Sequence, residues 1–406
     1  FHKAKDFEKL GIETGEVKLN LKKMMENKDK AVSVLTKGID FLFKKNKVTH
    51  ISGTGKILSN NEIEITDRKN NKKKIFSKKI IISTGSEPIS LPGIEFDEKQ
   101  VISSTGALCL DSVPKKLLIV GGGYIGLEMG SVWSRLGSDV HVVESLDHIT
   151  PGMDKEISTE FQKILKKQGI KFHLETKVEK IKKLNKEVLV ETKNINGKKE
   201  ELKCDVVLIS IGRKPFTKNL NLENLGIKFD KKKGIQVNDK FQTNIPNIYA
   251  IGDVIKGPML AHKAEEEGIA VAELISGQSG HVNYNIIPGV IYTTPEVAYV
   301  GKTEEELKNN KHDYKVGKFP FIANSRAKAI NQQEGFVKIL ADKISDKILG
   351  VHLIGPHAGE LIAEMSIAME FGASSEDIAR TCHAHPTFSE ALKEAALSVE
   401  KRQIHS

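Results

Sequence analysis

Apolar positions recur at helical spacing near the start of the chain. Over 20–46, Leu21, Met24, Met25, Leu35, Ile39, Leu42 and Phe43 fall along one stripe interrupted only by Gly38, which predicts an amphipathic helix. Over 48–82 the pattern shortens to alternating β-like pieces with turns at Ser59-Asn60-Asn61 and at Asn70-Asn71. The apolar run Ile80-Ile81-Ile82 then enters Ser83-Thr84-Gly85-Ser86-Glu87-Pro88. From 116 to 173 the order is strand, Gly-rich turn, helix, strand, helix, strand. Another β-rich stretch covers 176–203, and Val206-Val207-Leu208-Ile209 runs into Ser210-Ile211-Gly212-Arg213-Lys214-Pro215. Past 285, strand-like segments at 286–292, 314–320, 335–340 and 347–354 combine with helices near 303–309, 357–371 and 389–400. That combination reads as an antiparallel sheet with helices, an α+β domain.

Two of these strand ends match. Ser-x-Gly-x-x-Pro stands at 83–88 and again at 210–215, each time after a β meander and a buried apolar strand. The second copy opens with a Gly-rich βαβ unit at 116–144, and the first shows none. The repeat therefore predicts two nucleotide-binding domains, the first with its opening βαβ unit upstream of Phe1.

Composition narrows the function classes. The net charge of +9 comes mostly from lysine, since only six of the 62 basic residues are arginine. The lysines are spread along the chain without aromatic interleaving, which speaks for solvated faces and against nucleic acid. No run of eighteen or more apolar residues marks a membrane span. Cys109, Cys204 and Cys382 lie far apart, at neither metal nor redox-pair spacing, and their low number fits a reducing compartment.

The strand Leu117-Leu118-Ile119-Val120 leads into Gly121-Gly122-Gly123-Tyr124-Ile125-Gly126 and then a helix bearing Leu127, Met129, Val132, Trp133 and Leu136. In such a unit Gly121 makes the tight turn, Gly123 lets the backbone approach a pyrophosphate, and Gly126 lets helix and strand pack closely. The helix N-terminus offers free N–H groups to phosphate. Val140-His141-Val142-Val143 is the next strand, and Glu144 at its end lies 18 residues after Gly126. An acid there grips a ribose 2′-hydroxyl and repels a 2′-phosphate, favouring NAD over NADP.

Three further segments carry chemistry. Asn247-Ile248-Tyr249-Ala250-Ile251-Gly252-Asp253 ends a buried strand in a carboxylate that suits a sugar or ribitol hydroxyl, and serves equally as a turn Asp. Met259-Leu260-Ala261-His262 opens a helix whose N-terminal amides suit the edge of a flavin where reduction builds negative charge. In Cys382-His383-Ala384-His385-Pro386-Thr387-Phe388-Ser389-Glu390, His385 and Glu390 read as an acid–base pair. Thr387-x-x-Glu390 is also a capping box, and on the residues alone the cap is the stronger reading. His383 and His385 have no partners at zinc spacing, so no metal site is expected.

Together these motifs resemble the flavoprotein disulfide reductases. The resemblance rests on Ile82 to Ser86, on Gly121 to Glu128, on Ile211-Gly212-Arg213-Lys214-Pro215-Phe216, on Ala250 to Asp253, on Gly257 to Ala264 and on His383 to Glu390. Pro320-Phe321-Ile322-Ala323-Asn324-Ser325-Arg326-Ala327 is similar to the interface domain of that family. It implies an α/β chain with two Rossmann-like domains, the first truncated, and a C-terminal α+β dimerisation domain. The expected bounds are 1–113 for the rest of the FAD domain, 114–235 for NAD, 236–283 for a return to the FAD domain, and 284–406 for dimerisation.

The resemblance also implies roles. Gly55, Thr84, Gly85 and Ser86 would lie along FAD, Asp253 would hold its ribitol, and Met259, Leu260, Ala261 and His262 its ring. Gly121, Gly122, Gly123, Tyr124, Ile125 and Gly126 would hold the NAD pyrophosphate, Glu144 its adenosine ribose, Leu127 would also be cofactor-binding, and Val178 and Gly212 would complete that site. Glu128 would sit near the nicotinamide and pair with a lysine outside this sequence. His385, backed by Glu390, would be the base that takes a proton from a dithiol, reaching the partner subunit of a homodimer. The implied reaction oxidises protein-bound dihydrolipoamide and reduces NAD⁺ through a redox disulfide and FAD. The implied partners are lipoyl domains of 2-oxoacid dehydrogenase or glycine cleavage complexes, in a bacterial cytoplasm or a mitochondrial matrix. The Cys-x4-Cys pair of that family is not found here, so this stretch by itself is expected to bind FAD poorly and to leave disulfides unreduced. Alternatives are a related reductase, a flavin transhydrogenase, or a catalytically dead subunit that docks lipoyl-bearing partners.

Overall fold

The computed structural model describes residues 1–5 and 7–405, and the chain divides into two compact units. The first comprises 1–15, 90–211 and 283–406, and the second 16–89 and 212–282.

Within the first unit, five parallel strands form one sheet in the order Val101–Ile102, Val206–Ile209, Lys116–Val120, Asp139–Val143, Lys171–His173. Helices Tyr124–Leu136 and Lys155–Lys167 make the crossovers that parallel pairing requires. Leu117, Leu118, Ile119, Val142, Val207 and Leu208 are fully enclosed. Each such side chain stabilises the fold by roughly 1.5–3 kcal/mol, which explains the near-continuous apolar runs. The three-stranded meander Thr176–Lys183, Val188–Asn194, Lys199–Cys204 follows.

The same unit holds an antiparallel sheet, ordered Gly289–Ile291, Glu296–Gly301, Ile348–Gly355, Phe336–Asp342, Tyr314–Pro320. Helices Ala358–Glu370 and Glu390–Val399 contribute Leu361, Ile362, Met365, Leu392 and Ala395 to its core. The α+β expectation thus holds in class. In detail, 286–292 splits into a 3-10 turn Tyr284–Ile286 and the strand Gly289–Ile291, while Glu296–Gly301 and the short helix Ser375–Arg380 had no clear periodicity to announce them. A buried ion network joins this part to the parallel-sheet part. Lys338 Nζ donates to both oxygens of Asp154 at 3.0 and 2.9 Å and to Glu304 at 2.6 Å. Lys338 and Asp154 are fully enclosed.

In the second unit, a meander Thr54–Ile57, Glu62–Thr66, Lys72–Phe76 precedes Ile80–Ile82, which pairs in parallel with Ile248–Ala250. The internal repeat is therefore real at the level of structure: in both copies a three-stranded meander leads into an apolar parallel strand. Helix Leu21–Lys45 forms within one residue of expectation at each end, capped by the Asn20 side chain on the Lys23 amide. Its apolar stripe is not buried, however, and Leu35, Ile39 and Leu42 are exposed. Good helix formers and a cap at Asn20 form the helix locally, without a packed face.

Candidate functional site

The glycine turn folds as its spacing requires. Gly121 has φ +104°, and a Cβ there would meet the Ser210 carbonyl oxygen at 2.6 Å. A Cβ on Gly126 would collide with Ser210 Oγ at 2.5 Å and the Gly121 carbonyl oxygen at 2.7 Å. These two glycines serve close packing of turn, helix and strand. Gly123 differs: it is the N-cap of helix Tyr124–Leu136, in ordinary extended backbone, and a Cβ there would meet nothing within 4 Å. No side chain caps that helix end, so its first amides and the open space above Gly123 fit a phosphate.

Glu144 is buried and reaches back into the turn. Its Oε2 accepts from the Gly122 amide at 2.7 Å, and its Oε1 accepts from the Leu146 amide at 2.9 Å and Ser145 Oγ at 3.1 Å. The carboxylate thus orders the glycine turn. Tyr124 is exposed, Ile125 half-buried and Leu127 enclosed in the helix packing. Glu128 Oε1 accepts from the Tyr292 amide at 2.8 Å, and burial outweighs that bond and raises its carboxyl above the ordinary range. Val178 stands at an irregularity of the meander register. Gly212, φ +123°, belongs to the second unit, where its carbonyl accepts from the Ile89 amide.

Because Gly123 has room and relaxed backbone, it separates folding from ligand binding. Gly123→Leu should cost at most about 1 kcal/mol in stability but weaken NADH binding by about tenfold or more, roughly 1.4 kcal/mol. Calorimetric titration alongside thermal melts checks this. Unchanged affinity in a folded Gly123→Leu protein would remove the pyrophosphate from this turn.

The second unit gathers the other predicted residues. Strands Ser86–Pro88 and Arg213–Pro215 pair antiparallel, bringing the two Ser-x-Gly-x-x-Pro copies side by side. Asp253 Oδ2 accepts from Ser86 Oγ at 2.6 Å, and Ser86 Oγ accepts from Arg213 Nε at 2.7 Å. Among the described residues Asp253 Oδ1 has no protein donor, which leaves it able to accept from a sugar hydroxyl. Thr84 Oγ1 donates to the Phe216 carbonyl at 2.6 Å, and Gly85 has φ +74° with open space where a side chain would stand. Gly55 lies in its strand with only Ile63 within 3.8 Å of a would-be Cβ. Helix Ala261–Ile275 begins after Met259 and Leu260 without a side-chain cap, and Ala261 and His262 are exposed in its first turn. A ring edge carrying negative charge fits those uncapped amides. Arg213 had been part of a motif without a role. Its link to Ser86 spans 127 residues of sequence and has no local signal.

The histidine loop lies between helices Ser375–Arg380 and Glu390–Val399. His385 Nδ1 meets Glu390 Oε1 at 2.8 Å, and the imidazole is 67% exposed. Glu390 Oε2 accepts from the Thr387 amide at 2.8 Å. Burial works to raise the Glu390 carboxyl, but the Thr387 amide and the imidazole together hold it below the ordinary range. Only half of the capping box exists: Thr387 Oγ1 donates to the Ala384 carbonyl and Ser389 is the N-cap. The preference for a cap, drawn from the residues alone, is thus corrected by where the threonine hydroxyl points. His383, given no role by the sequence, is held between the Thr381 carbonyl and Glu364 Oε1, both at 2.9 Å. It anchors the loop to helix Ala358–Glu370.

The cysteines Cys109, Cys204 and Cys382 are free, and burial pushes the Cys204 thiol up to about 12. Among the described residues no group of three or more His, Cys, Asp or Glu side chains is placed to hold a metal ion, and no helix is long and apolar enough to cross a membrane.

The profile of the pyridine nucleotide-disulphide oxidoreductases matches residues 3–268, and that of their dimerisation domain matches residues 287–396. The mitochondrial dihydrolipoyl dehydrogenase of Pisum sativum is 54% identical over 100% of this chain and 81% of its own length. The mitochondrial dihydrolipoyl dehydrogenase of Homo sapiens is 55% identical over 98% of this chain and 79% of its own. Among solved structures, the HOCl-induced flavoprotein disulfide reductase of Escherichia coli is similar with a TM-score of 0.83 at 28% identity, covering 92% of this chain and 84% of that one.

Proposed function

The chain belongs to the pyridine nucleotide-disulphide oxidoreductase family, and we propose that it oxidises dihydrolipoamide and reduces NAD⁺ as a dihydrolipoyl dehydrogenase. The balance is two electrons and two protons removed from the dithiol, giving lipoamide, NADH and one proton. The observation that carries this reading is the exposed His385 imidazole held on Nδ1 by Glu390, in a chain so similar to dihydrolipoyl dehydrogenases over its whole length.

FAD and NAD are the cofactors of this family; when bound, they supply a two-electron acceptor for the dithiol and the final hydride acceptor. Asp253, set by Ser86 and Arg213, would accept from the ribitol. The N-terminal end of helix Ala261–Ile275 would face the flavin ring, and Thr84, Gly85 and Gly55 would line its approach. The turn from Gly121 to Gly126 would hold the pyrophosphate of NAD, with Glu144 on the adenosine ribose and Val178 beside it. Glu144 favours NAD, since a 2′-phosphate would bring like charge against a buried carboxylate.

His385 would move the proton. With Nδ1 given to Glu390, Nε2 is left for the thiol, and the carboxylate stabilises the imidazolium that forms. None of the three cysteines is assigned the exchanging disulfide: all are free, and the Cys204 thiol is inert at neutral pH. The dimerisation domain supports a dimer, and we assign His385 to the dithiol site of the partner subunit. The same reading takes 1–113 with 236–283 as the FAD part, 114–235 as the NAD part and 284–406 as the dimerisation part. It makes lipoyl domains the macromolecular partners and the mitochondrial matrix the place of action, a reading supported by plant and human relatives that are named as mitochondrial. Lipoamide-dependent oxidation of NADH by the full-length protein is the test. A flavin-loaded enzyme that oxidises NADH with a quinone dye but ignores lipoamide would point to a transhydrogenase-like member instead.

A further inference from the structure

We propose that Lys263 and Glu267 are positioning residues for FAD: together they clamp the Gly252 peptide groups and so fix the Asp253 carboxylate. The inference rests on the reading of Asp253 as a ribitol ligand. Lys263 and Glu267 sit one turn apart on helix Ala261–Ile275, 3.0 Å from each other, with both side chains fully buried. The Gly252 N–H donates to Glu267 Oε2 at 2.6 Å, and the Gly252 carbonyl accepts from Lys263 Nζ at 3.0 Å. One residue's donor and acceptor are therefore held by opposite charges from one helix.

The surroundings make this arrangement informative. Ile82, Ile251, Val254, Ala270 and Val271 form the apolar cluster of this region. An ion pair in such a place has a desolvation cost that two apolar side chains would avoid. What apolar side chains lack is hydrogen bonds for a buried N–H and C=O. Gly252 needs them, because its φ of +75° opens the 3-10 turn Gly252–Val254, where the chain leaves the strand Ile248–Ala250. The helix also lies close: a Cβ on Gly252 would approach Ala264 Cβ at 3.2 Å, and one on Gly257 would approach Lys263 Cε at 3.1 Å. Asp253, the next residue, is tied from the far side by Ser86 Oγ. Its carboxylate is thus located by two independent anchors, and a ligand held by one oxygen is sensitive to displacements of about half an ångström. The same helix begins at Ala261, so the clamp sets the spacing of both predicted flavin-facing segments.

The test uses the full-length holoenzyme, stripped of flavin and titrated with FAD, with thermal melts of each variant. Lys263→Met and Glu267→Leu should each raise the Kd for FAD at least tenfold and alter the visible circular dichroism of the bound flavin. Glu267→Gln, which keeps an acceptor for the Gly252 amide, should recover most of the affinity. The double variant Lys263→Met with Glu267→Leu removes the stranded charge and should regain stability without regaining FAD affinity. If FAD affinity returns together with stability in that double variant, the pair is only a structural support and the proposal is overturned. Asp253→Ala is the separate arm: unchanged FAD binding there would reject Asp253 as the ligand, whatever the clamp variants do.

Discussion

Replacing His385 with alanine should lower lipoamide-dependent turnover by about 10²–10⁴-fold, the usual contribution of a positioned general base, while FAD stays bound. The imidazole is exposed and bonds to the Glu390 carboxylate, so its loss leaves no cavity and takes one hydrogen bond from a carboxylate that is itself 24% exposed. Stability should therefore change little. The flavin contacts assigned here come from residues of the other compact unit, so the yellow colour should persist. Glu390→Gln should fall between wild type and His385→Ala. It keeps an acceptor for the Thr387 amide but removes the charge that favours the imidazolium, so the base should become weaker. Stopped-flow reduction by dihydrolipoamide, measured against pH, checks both variants. Near-normal reduction in His385→Ala would reject the imidazole as the base.

Removing the Lys338 cation should be the most destabilising single change in the dimerisation part, about 3–5 kcal/mol for Lys338→Met. Lys338 is the cation shared by Asp154 and Glu304. Without it Asp154, fully enclosed, keeps a charge opposed only by neutral donors, the Glu156 amide at 3.1 Å and the Glu304 amide at 3.3 Å among them. Pairing Lys338→Met with Asp154→Asn should restore much of the loss, which separates the ion term from altered packing. Acid provides a second readout. Burial works to raise Glu304, but its hydrogen bonds with Lys308, Lys338 and Tyr314 hold it down to about 2. A depressed carboxylate stabilises the folded state above its ordinary range near pH 4.5, and that stabilisation is lost as pH falls from there towards about 2. Partial exposure of Glu304 screens the effect. Wild type should accordingly lose more of its melting temperature across that window than Lys338→Met does. Parallel curves for the two proteins would show that the network does not couple to Glu304.

The other predictions separate positions that sequence motifs treat alike. Gly121, Gly123 and Gly126 belong to one turn, yet only Gly123 has space and relaxed backbone. Its substitution tests the ligand, whereas substitution at the other two tests the fold.

Local pattern determined a good deal by itself. The βαβ unit around Gly121, the acid at Glu144, the doubled Ser-x-Gly-x-x-Pro and the mixed C-terminal part were all legible, because each depends on neighbours within a few residues or on a strand, turn and helix in succession. Helix Leu21–Lys45 was legible for the same reason, although the fate of its apolar stripe was not. Only the tertiary structure decided whether Glu390 caps a helix or backs an imidazole, since that turned on the direction of the Thr387 hydroxyl. It alone joined Ser86 to Asp253 and Arg213, Lys338 to Asp154, and the Gly252 peptide to a buried ion pair. The physical reason is that a buried polar group must find its partner wherever packing brings one. Across 184 residues between Asp154 and Lys338, no periodicity in the chain records that meeting.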